Sequence, residues 1–206
     1  MMFDTASLSR TGGRRSNQDS FGYEANQAKG CWVVADGLGG HAGGETASRM
    51  AVDEVLAAFR QKTDVSPAFI ENCLQTAHQA IQLKAAVAYE LASMRTTLVV
   101  LACTGNSAVW GHVGDSRLYW FRRGKIVHQT KDHSVPQMLV DAGKLDPLKL
   151  RGHEDQNRLT RALGQTGSLK TSVLSEPIVL QPGDAALLCS DGIWTYVLEP
   201  ELEADW

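Results

Sequence analysis

The chain has 206 residues, of which 43% are hydrophobic and 21% are charged, and its formal net charge at pH 7 is -3. This length allows one large domain or two small ones, and the composition is ordinary for a globular protein with a sizeable core. The slightly negative charge gives no general attraction to nucleic acid or to an anionic membrane, and no apolar run is long enough to span a bilayer.

The cysteines and the first residues indicate the cellular compartment. Four cysteines lie in apolar or amphipathic runs without forming a CxxC pair: Cys31, Cys73, Cys103 and Cys189. We expect reduced thiols in the core, which favours the cytoplasm over a secreted setting. The first five residues lack the basic segment and apolar core of a signal peptide.

The first strand-like run of the chain covers residues 5–10 and could form a strand. A stronger signal follows, because the apolar residues 31–35 predict a buried strand that ends in Asp36 and a glycine-rich turn. A carboxylate there is costly unless it is paired, and Mg²⁺ or Mn²⁺ is the simplest partner. Taken alone, however, the stretch is better explained as a solvated Asp-Gly turn.

Two helices and an antiparallel meander are predicted next. Apolar residues at helical spacing predict a helix from Gly44 to about residue 59, and Ser66 followed by Pro67 marks the start of a second, longer helix. The β-branched run at 96–104, a turn, and further apolar runs to residue 128 predict the meander. Asp115 falls inside this strand pattern.

The last third of the chain repeats the Asp-Gly feature. Ser134 is a predicted N-cap, residues 144–156 form a polar excursion, and residues 173–180 suggest a strand. A buried strand at 185–189 then leads to Asp191-Gly192. Two such strand ends, together with Asp115, indicate that neighbouring strands bring carboxylates to one place, which requires cations between them. A dinuclear Mg²⁺ or Mn²⁺ site is therefore favoured.

An ordered set of motifs covers nearly the whole chain. It resembles the metal-dependent serine/threonine protein phosphatases of the PP2C type, in their bacterial form. The matching segments are Arg14 with Asn17-Gln18-Asp19-Ser20, Val34-Ala35-Asp36-Gly37-Leu38-Gly39-Gly40-His41, Thr96-Thr97-Leu98, Gly114-Asp115-Ser116-Arg117, Asp132-His133-Ser134, Leu159-Thr160-Arg161-Ala162-Leu163-Gly164 and Ser190-Asp191-Gly192.

The resemblance implies an α+β fold, in which an antiparallel β-sandwich is flanked on both sides by α-helices in four αββα layers. The predicted strands and helices agree with it, and the absence of alternating βαβ units disfavours a parallel sheet. Residues 1–206 are then a single phosphatase domain with a flap-like excursion at about 134–157.

The resemblance also implies the metal ligands. Asp36 would bridge two metal ions, the carbonyl of Gly37 would bind one of them, and Asp191 would hold the second. Asp115 matches the family's ligand for a weaker third ion. The ions would be Mn²⁺ or Mg²⁺.

The remaining roles concern the substrate and the water. By resemblance, Asp19 would hold metal-bound water, and Arg14 would grip the substrate phosphate with its guanidinium fork. Leu38 occupies a position where some relatives have a histidine proton donor, and the nearby His41 could substitute for it.

The implied reaction is hydrolysis of phosphoserine and phosphothreonine in proteins. A water that bridges the two metal ions attacks phosphorus in line, and no phosphoenzyme forms. No cysteine is followed by an arginine at the spacing of a phosphate cradle, which disfavours a thiolate nucleophile. The implied protein is a cytoplasmic monomer with phosphoprotein substrates, a cognate kinase or its targets as partners, and no nucleic-acid or membrane partner.

Two departures from the family pattern keep an alternative open. Gln18 stands where many relatives have glutamate, and no Asp-Asn pair follows Asp191. We therefore expect a truncated C-terminus that lacks one strand and one metal ligand. The alternative is a catalytically weak phosphoprotein-binding or regulatory module of the same fold.

Overall fold

Two antiparallel sheets form the centre of this computed structural model, which describes residues 3–39, 41–62 and 65–204 and, for His41 and Ala42, the backbone only. Strands β1, β2, β4, β5 and β8 follow one another in the larger sheet, where β3 also pairs with β2 and β9 with β5. The smaller sheet has the order β10-β6-β7. The strands are β1 (Asp19–Ala25), β2 (Lys29–Leu38), β3 (Arg95–Thr96), β4 (Leu98–Thr104), β5 (Ser107–Val113), β6 (Arg117–Arg122), β7 (Lys125–Gln129), β8 (Ser172–Val173), β9 (Ile178–Val179) and β10 (Ala185–Cys189).

Helices cover the outer faces of the two sheets. The long helices α1 (His41–Arg60) and α2 (Pro67–Val87) pack on the larger sheet. The short helices α4 (Asp191–Trp194) and α5 (Glu199–Ala204) contact the smaller sheet, and α3 (Val135–Asp141) lies in the segment between β7 and β8. Single 3₁₀ turns occur at Tyr89–Leu91 and Pro147–Lys149. The αββα fold class is thereby confirmed.

Strand β4 shows why the central strands are apolar on both faces. Leu98, Val100 and Ala102 pack toward the helices, whereas Val99 and Leu101 pack between the two sheets. Because successive strand side chains point to opposite faces, a strand that is covered on both sides needs an unbroken apolar run. The larger sheet is thus a rigid support between two hydrophobic layers.

The helix starts agree with the sequence signals. The Ser66 hydroxyl accepts a hydrogen bond from the backbone N–H of Phe69, and Pro67 occupies the first turn of α2. Ser134 caps α3 in the same way through the N–H of Gln137. Both caps satisfy N–H groups that otherwise have no partner within the helix.

Several of the predicted boundaries are different in the structure. Residues 5–10 form no strand, residues 173–180 contribute only the two short strands β8 and β9, and α1 begins at His41 rather than at Gly44. Residues 5–10 are largely exposed, so they bury too little apolar surface to hold them in a sheet. A membrane-spanning helix is not found in the described ranges.

The chain changes sheets between β5 and β6. It leaves the larger sheet after Val113 and enters the smaller one at Arg117, so the predicted meander is interrupted. Asp115 therefore lies in the connection between the sheets and not inside a strand. The connection begins at Gly114, whose φ of +100° is rarely adopted by residues with a side chain, and whose absent Cβ would lie 2.6 Å from Thr97 Cγ2.

Candidate active site

Asp19 and Asp36 face each other across the β1–β2 pair. They are register partners in the antiparallel ladder, and their carboxyl groups share a hydrogen bond. The Ser190 hydroxyl, which follows β10, donates a hydrogen bond to Asp19 Oδ2 at 2.8 Å. The start of β1, the end of β2 and the end of β10 therefore meet at one place, although the segments are far apart in the chain.

Backbone and hydroxyl contacts hold Asp36 in position. Its N–H donates to Thr97 Oγ1 at 2.9 Å, and its carbonyl accepts from both the Thr96 hydroxyl and the Thr97 N–H at 2.9 Å. The Thr97 hydroxyl is also 2.7 Å from the Ser116 hydroxyl. Asp36 is therefore linked to the connection that carries Asp115. The strand does not end at Asp36 as predicted, because β2 continues to Leu38 and pairs there with β3.

Gly37 lies where α1 comes closest to the larger sheet. Its N–H donates to the Gln18 carbonyl at 3.1 Å. A Cβ at this position would lie 2.2 Å from the Gly44 carbonyl oxygen and 2.6 Å from that of Gln18. Only glycine allows this close approach, which brings the beginning of α1 next to Asp36.

The carboxyl groups of the site influence one another. Burial raises the pKa of Asp36 to about 8, and the charges of Asp19, Asp191 and Asp115 add to the effect. Burial, followed by the charges of Asp132 and Asp191, raises the pKa of Asp115 to about 7. The pKa of Asp191 is also raised, by burial and by Asp19. These interactions place carboxylates from four chain segments in one electrostatic site.

The structure gives the location of Arg14, but it does not describe the side chain of His41. Arg14 lies in the exposed segment before β1, and its positive charge lowers the pKa of Asp191, which opposes the effect of burial. The charge of Arg14 therefore acts on one carboxylate of the site, that of Asp191. The side chain of His41 lies outside the described residues, so its role as a proton donor stays a prediction.

The donor set fits a divalent cation by its chemistry. Carboxylate and carbonyl oxygens are the ligands that Mg²⁺ and Mn²⁺ prefer, and closely spaced buried carboxylates with raised pKa values gain from positive charge between them. Within the described ranges, no three His, Cys, Asp or Glu side chains form a closed metal-binding cluster. A cation of this type commonly keeps several waters and needs only one or two carboxylates, so an open arrangement suits it.

A buried ion pair follows the connection that carries Asp115, and sequence reasoning assigned no role to its members. Arg117 binds Asp132 in a bidentate manner, with Nε to Oδ1 at 2.8 Å and Nη2 to Oδ2 at 2.7 Å. The Arg117 guanidinium also lies 3.7 Å from the ring centroid of Trp194 in α4. The position of Arg117 two residues after Asp115 was the available signal, but its partner could not be identified from spacing.

The fold and the carboxylate site define a class of protein, and the comparisons agree with it. The protein phosphatase 2C family model matches residues 9–204. The chain belongs to this family, and it is a protein phosphatase of the serine/threonine class.

Individual phosphatases are similar to this chain in sequence and in structure. Protein phosphatase PhpP of Streptococcus pneumoniae is 35% identical over 196 residues, which are 92% of this chain and 78% of PhpP. The crystal structure of the serine/threonine phosphatase PstP/Ppp of Mycobacterium tuberculosis has a TM-score of 0.80 and 32% identity, and the match covers 93% of this chain and 79% of that one. A structure of the PstP catalytic domain in complex with two manganese ions has a TM-score of 0.72 and 28% identity over 93% of this chain and 83% of that one.

Proposed function

We propose that this phosphatase hydrolyses phosphoserine and phosphothreonine in proteins with the help of divalent cations, Mn²⁺ or Mg²⁺, at the Asp36 site. In this proposal Asp36 would hold both ions, the Gly37 carbonyl would contribute to one and Asp191 to the other. Asp115 serves a third ion. The manganese ions of the related PstP catalytic domain support the choice of metal.

The convergence of Asp19, Asp36, Asp115 and Asp191 carries this proposal. These residues come from β1, β2, the connection between the sheets, and the start of α4, yet their charges act on one another. A structural role does not explain this grouping, because burying like charges together costs stability unless they are compensated. A function that requires cations explains it.

Phosphate binding, positioning of the attacking water and proton donation are assigned to other side chains. When bound, two divalent cations lower the pKa of a shared water and neutralise charge on the phosphoryl oxygens. We assign Arg14 to the phosphate oxygens, because it is a guanidinium in the exposed segment before β1 and its charge acts on Asp191. Asp19 accepts a hydrogen bond from Ser190, which fixes its orientation, and it can hold the attacking water in line with phosphorus. His41 remains the proposed donor to the leaving hydroxyl, and no phosphoenzyme is needed.

The proposal includes the surroundings of the site. Residues 134–157 would act as a flap of the same domain that selects phosphoprotein substrates, because the segment starts next to the Asp115 connection, with the His133 N–H donating to the Gly114 carbonyl at 2.9 Å. We further propose a monomer that opposes a serine/threonine kinase. The four cysteines are free and buried, which supports a reducing compartment, the cytoplasm.

The test is the metal dependence of hydrolysis by matched variants. Turnover of an aryl phosphate and of a phosphothreonine peptide is measured with Mn²⁺, and again after removal of the metal with a chelator. Asp36→Asn should lower kcat by at least roughly 100-fold, because it removes a carboxylate that would hold the cations on which hydrolysis depends. Glu176→Gln is the control, since Glu176 is an exposed carboxylate between β8 and β9 and lies outside residues 134–157.

Two results would contradict the proposal. Turnover that persists in the chelator would exclude cation-assisted hydrolysis. Phosphopeptide binding without any turnover by the unmodified protein would favour the regulatory module, which the relatives do not favour.

A further inference from the structure

Both backbone groups of Gly114 are held by one residue, His133. The Gly114 N–H donates to His133 Nδ1 at 3.1 Å, and the His133 N–H donates to the Gly114 carbonyl at 2.9 Å. Gly114 directly precedes Asp115 and has a positive φ of +100°. The pair of hydrogen bonds therefore controls the backbone from which the Asp115 carboxylate projects.

The chemistry of the imidazole follows from these contacts. A backbone amide can only donate, so Nδ1 must be the acceptor, and the proton of the neutral ring is then on Nε2. Nε2 lies 2.9 Å from Ser172 Oγ and 3.1 Å from Arg161 Nη1. Because a guanidinium can only donate, the Nε2 proton goes to Ser172 Oγ. The ring is 7% exposed and stacks on His112 with a centroid distance of 4.5 Å. Burial, His112 and Arg161 lower the pKa of His133 to about 3, which keeps the acceptor available at neutral pH.

We propose that His133 is a positioning residue that fixes the Asp115 carboxylate by holding the amide of Gly114. The inference rests on the proposed function in one respect, namely that Asp115 binds a cation. The other side of the connection is held by the hydrogen bond between Thr97 and Ser116. His133 thus completes a clamp on both sides of Asp115.

The clamp matters because a ligand carboxylate must be fixed before the cation arrives. Glycine has more backbone freedom than any other residue, so Gly114 without its acceptor would let Asp115 occupy several positions. Loss of residues that orient metal ligands typically weakens metal binding by roughly 10–100-fold. We expect a loss of this size when the acceptor at the Nδ1 position is removed.

Two substitutions separate the hydrogen bond from simple space filling. In His133→Asn the side-chain oxygen can take the place of Nδ1, whereas in His133→Gln the amide extends toward the place of Nε2. Glutamine is closer to histidine in volume, so a space-filling role predicts that Gln is tolerated better than Asn. The clamp predicts the opposite order. Ser172→Thr serves as control, because it changes the packing beside Nε2, keeps a hydroxyl acceptor for the Nε2 proton and leaves Nδ1 intact.

Two readouts are needed. Hydrogen exchange of the Gly114 amide, measured by NMR on the metal-free protein, reports the clamp itself. Mn²⁺ titration by calorimetry, together with kcat and KM at saturating Mn²⁺, reports its effect on the site, and thermal unfolding checks that each variant is folded.

The expected result is protection of the Gly114 amide in the unmodified protein, in Ser172→Thr and in His133→Asn, and loss of protection in His133→Gln. The affinity for Mn²⁺ should be retained in the variants that keep this protection and should fall by roughly 10-fold or more in His133→Gln. Equal protection in the Asn and Gln variants, or unchanged Mn²⁺ affinity in a folded Gln variant, would overturn the inference. Failure of the proposed function is distinguishable, since it would abolish Mn²⁺-dependent turnover in the unmodified protein without changing the Gly114 exchange.

Discussion

Replacement of Asp132 by asparagine should destabilise the protein strongly. Arg117 and Asp132 form a bidentate pair between the end of the sheet connection and the segment after β7, and their side chains are only 4% and 2% exposed. Burial would lower the pKa of Arg117, but the hydrogen bonds and charge of Asp132 reverse this effect, so the guanidinium stays charged. In Asp132→Asn the buried cation loses its counter-charge.

The size of the effect follows from the remaining partners of Arg117. Removing one member of a buried ion pair costs about 3–5 kcal/mol, because the other charge is left uncompensated. Arg117 keeps the Tyr119 hydroxyl at 3.0 Å, the Trp194 ring and, at 3.8 Å, Glu199. These contacts favour the lower end, about 3 kcal/mol, which corresponds to a decrease in Tm of roughly 6–12 °C for a chain of this size.

Thermal unfolding followed by calorimetry, with urea unfolding as a second measure, tests this value. The control is Asp141→Asn, which breaks the exposed pair with Lys131 and should cost less than about 1 kcal/mol. At this chain length a change in Tm of 2 °C corresponds to about 0.5–1 kcal/mol. If the Tm of Asp132→Asn lies within 2 °C of that of the unmodified protein in the same buffer, the buried pair does not contribute the stability expected of it.

The remaining predictions concern the sheet connection and pH. Gly114→Ala should lower the free energy of unfolding by roughly 3 kcal/mol, because the residue has a positive φ and its Cβ would lie only 2.6 Å from Thr97. Gly152→Ala, also at positive φ but in open space, should lower it by about 1 kcal/mol. Urea unfolding compares the two variants, and equal losses would exclude a contribution from packing against Thr97. Because the pKa of His133 is lowered from 6.5 to about 3, its contribution to stability is complete above pH 6.5 and is lost as the pH falls toward 3. Between pH 7 and pH 5 the metal-free protein should therefore lose about 2 kcal/mol more than His133→Asn, measured by urea unfolding, and identical pH profiles would show that His133 titrates normally.

Local signals in the sequence predicted most of the elements correctly. The caps at Ser66 and Ser134, the helical spacing of α1 and α2, and the apolar run of β2 depend on neighbours within a few residues, and the structure confirms them. The run at 185–189 does form the strand β10, but only Cys189 is fully buried and the other four residues are half-buried. The weak signals failed where the tertiary context decides, as in residues 5–10, which find no strand to pair with in the described structure.

The candidate site was predictable as a set of residues but not as an arrangement. The sequence indicated Asp36, Asp115 and Asp191 as carboxylates brought together by neighbouring strands, and their charges do act on one another. It could not show that Asp19 is the register partner of Asp36, or that Ser190 binds Asp19. These contacts join residues up to 171 positions apart, and no local pattern records such a pairing.

The strands, the helices that cover them and the polar residues at the strand ends were predictable from sequence, because burial imposes its period on each segment separately. The point at which the chain changes sheets was not predictable and became visible only in the three-dimensional structure. The apolar pattern of β6 is the same whether it pairs with β5 or faces it from the other sheet, so the pattern cannot distinguish the two. That change of sheets places Asp115 in a connection held by Thr97 and His133, and Arg117 against Asp132, within one site.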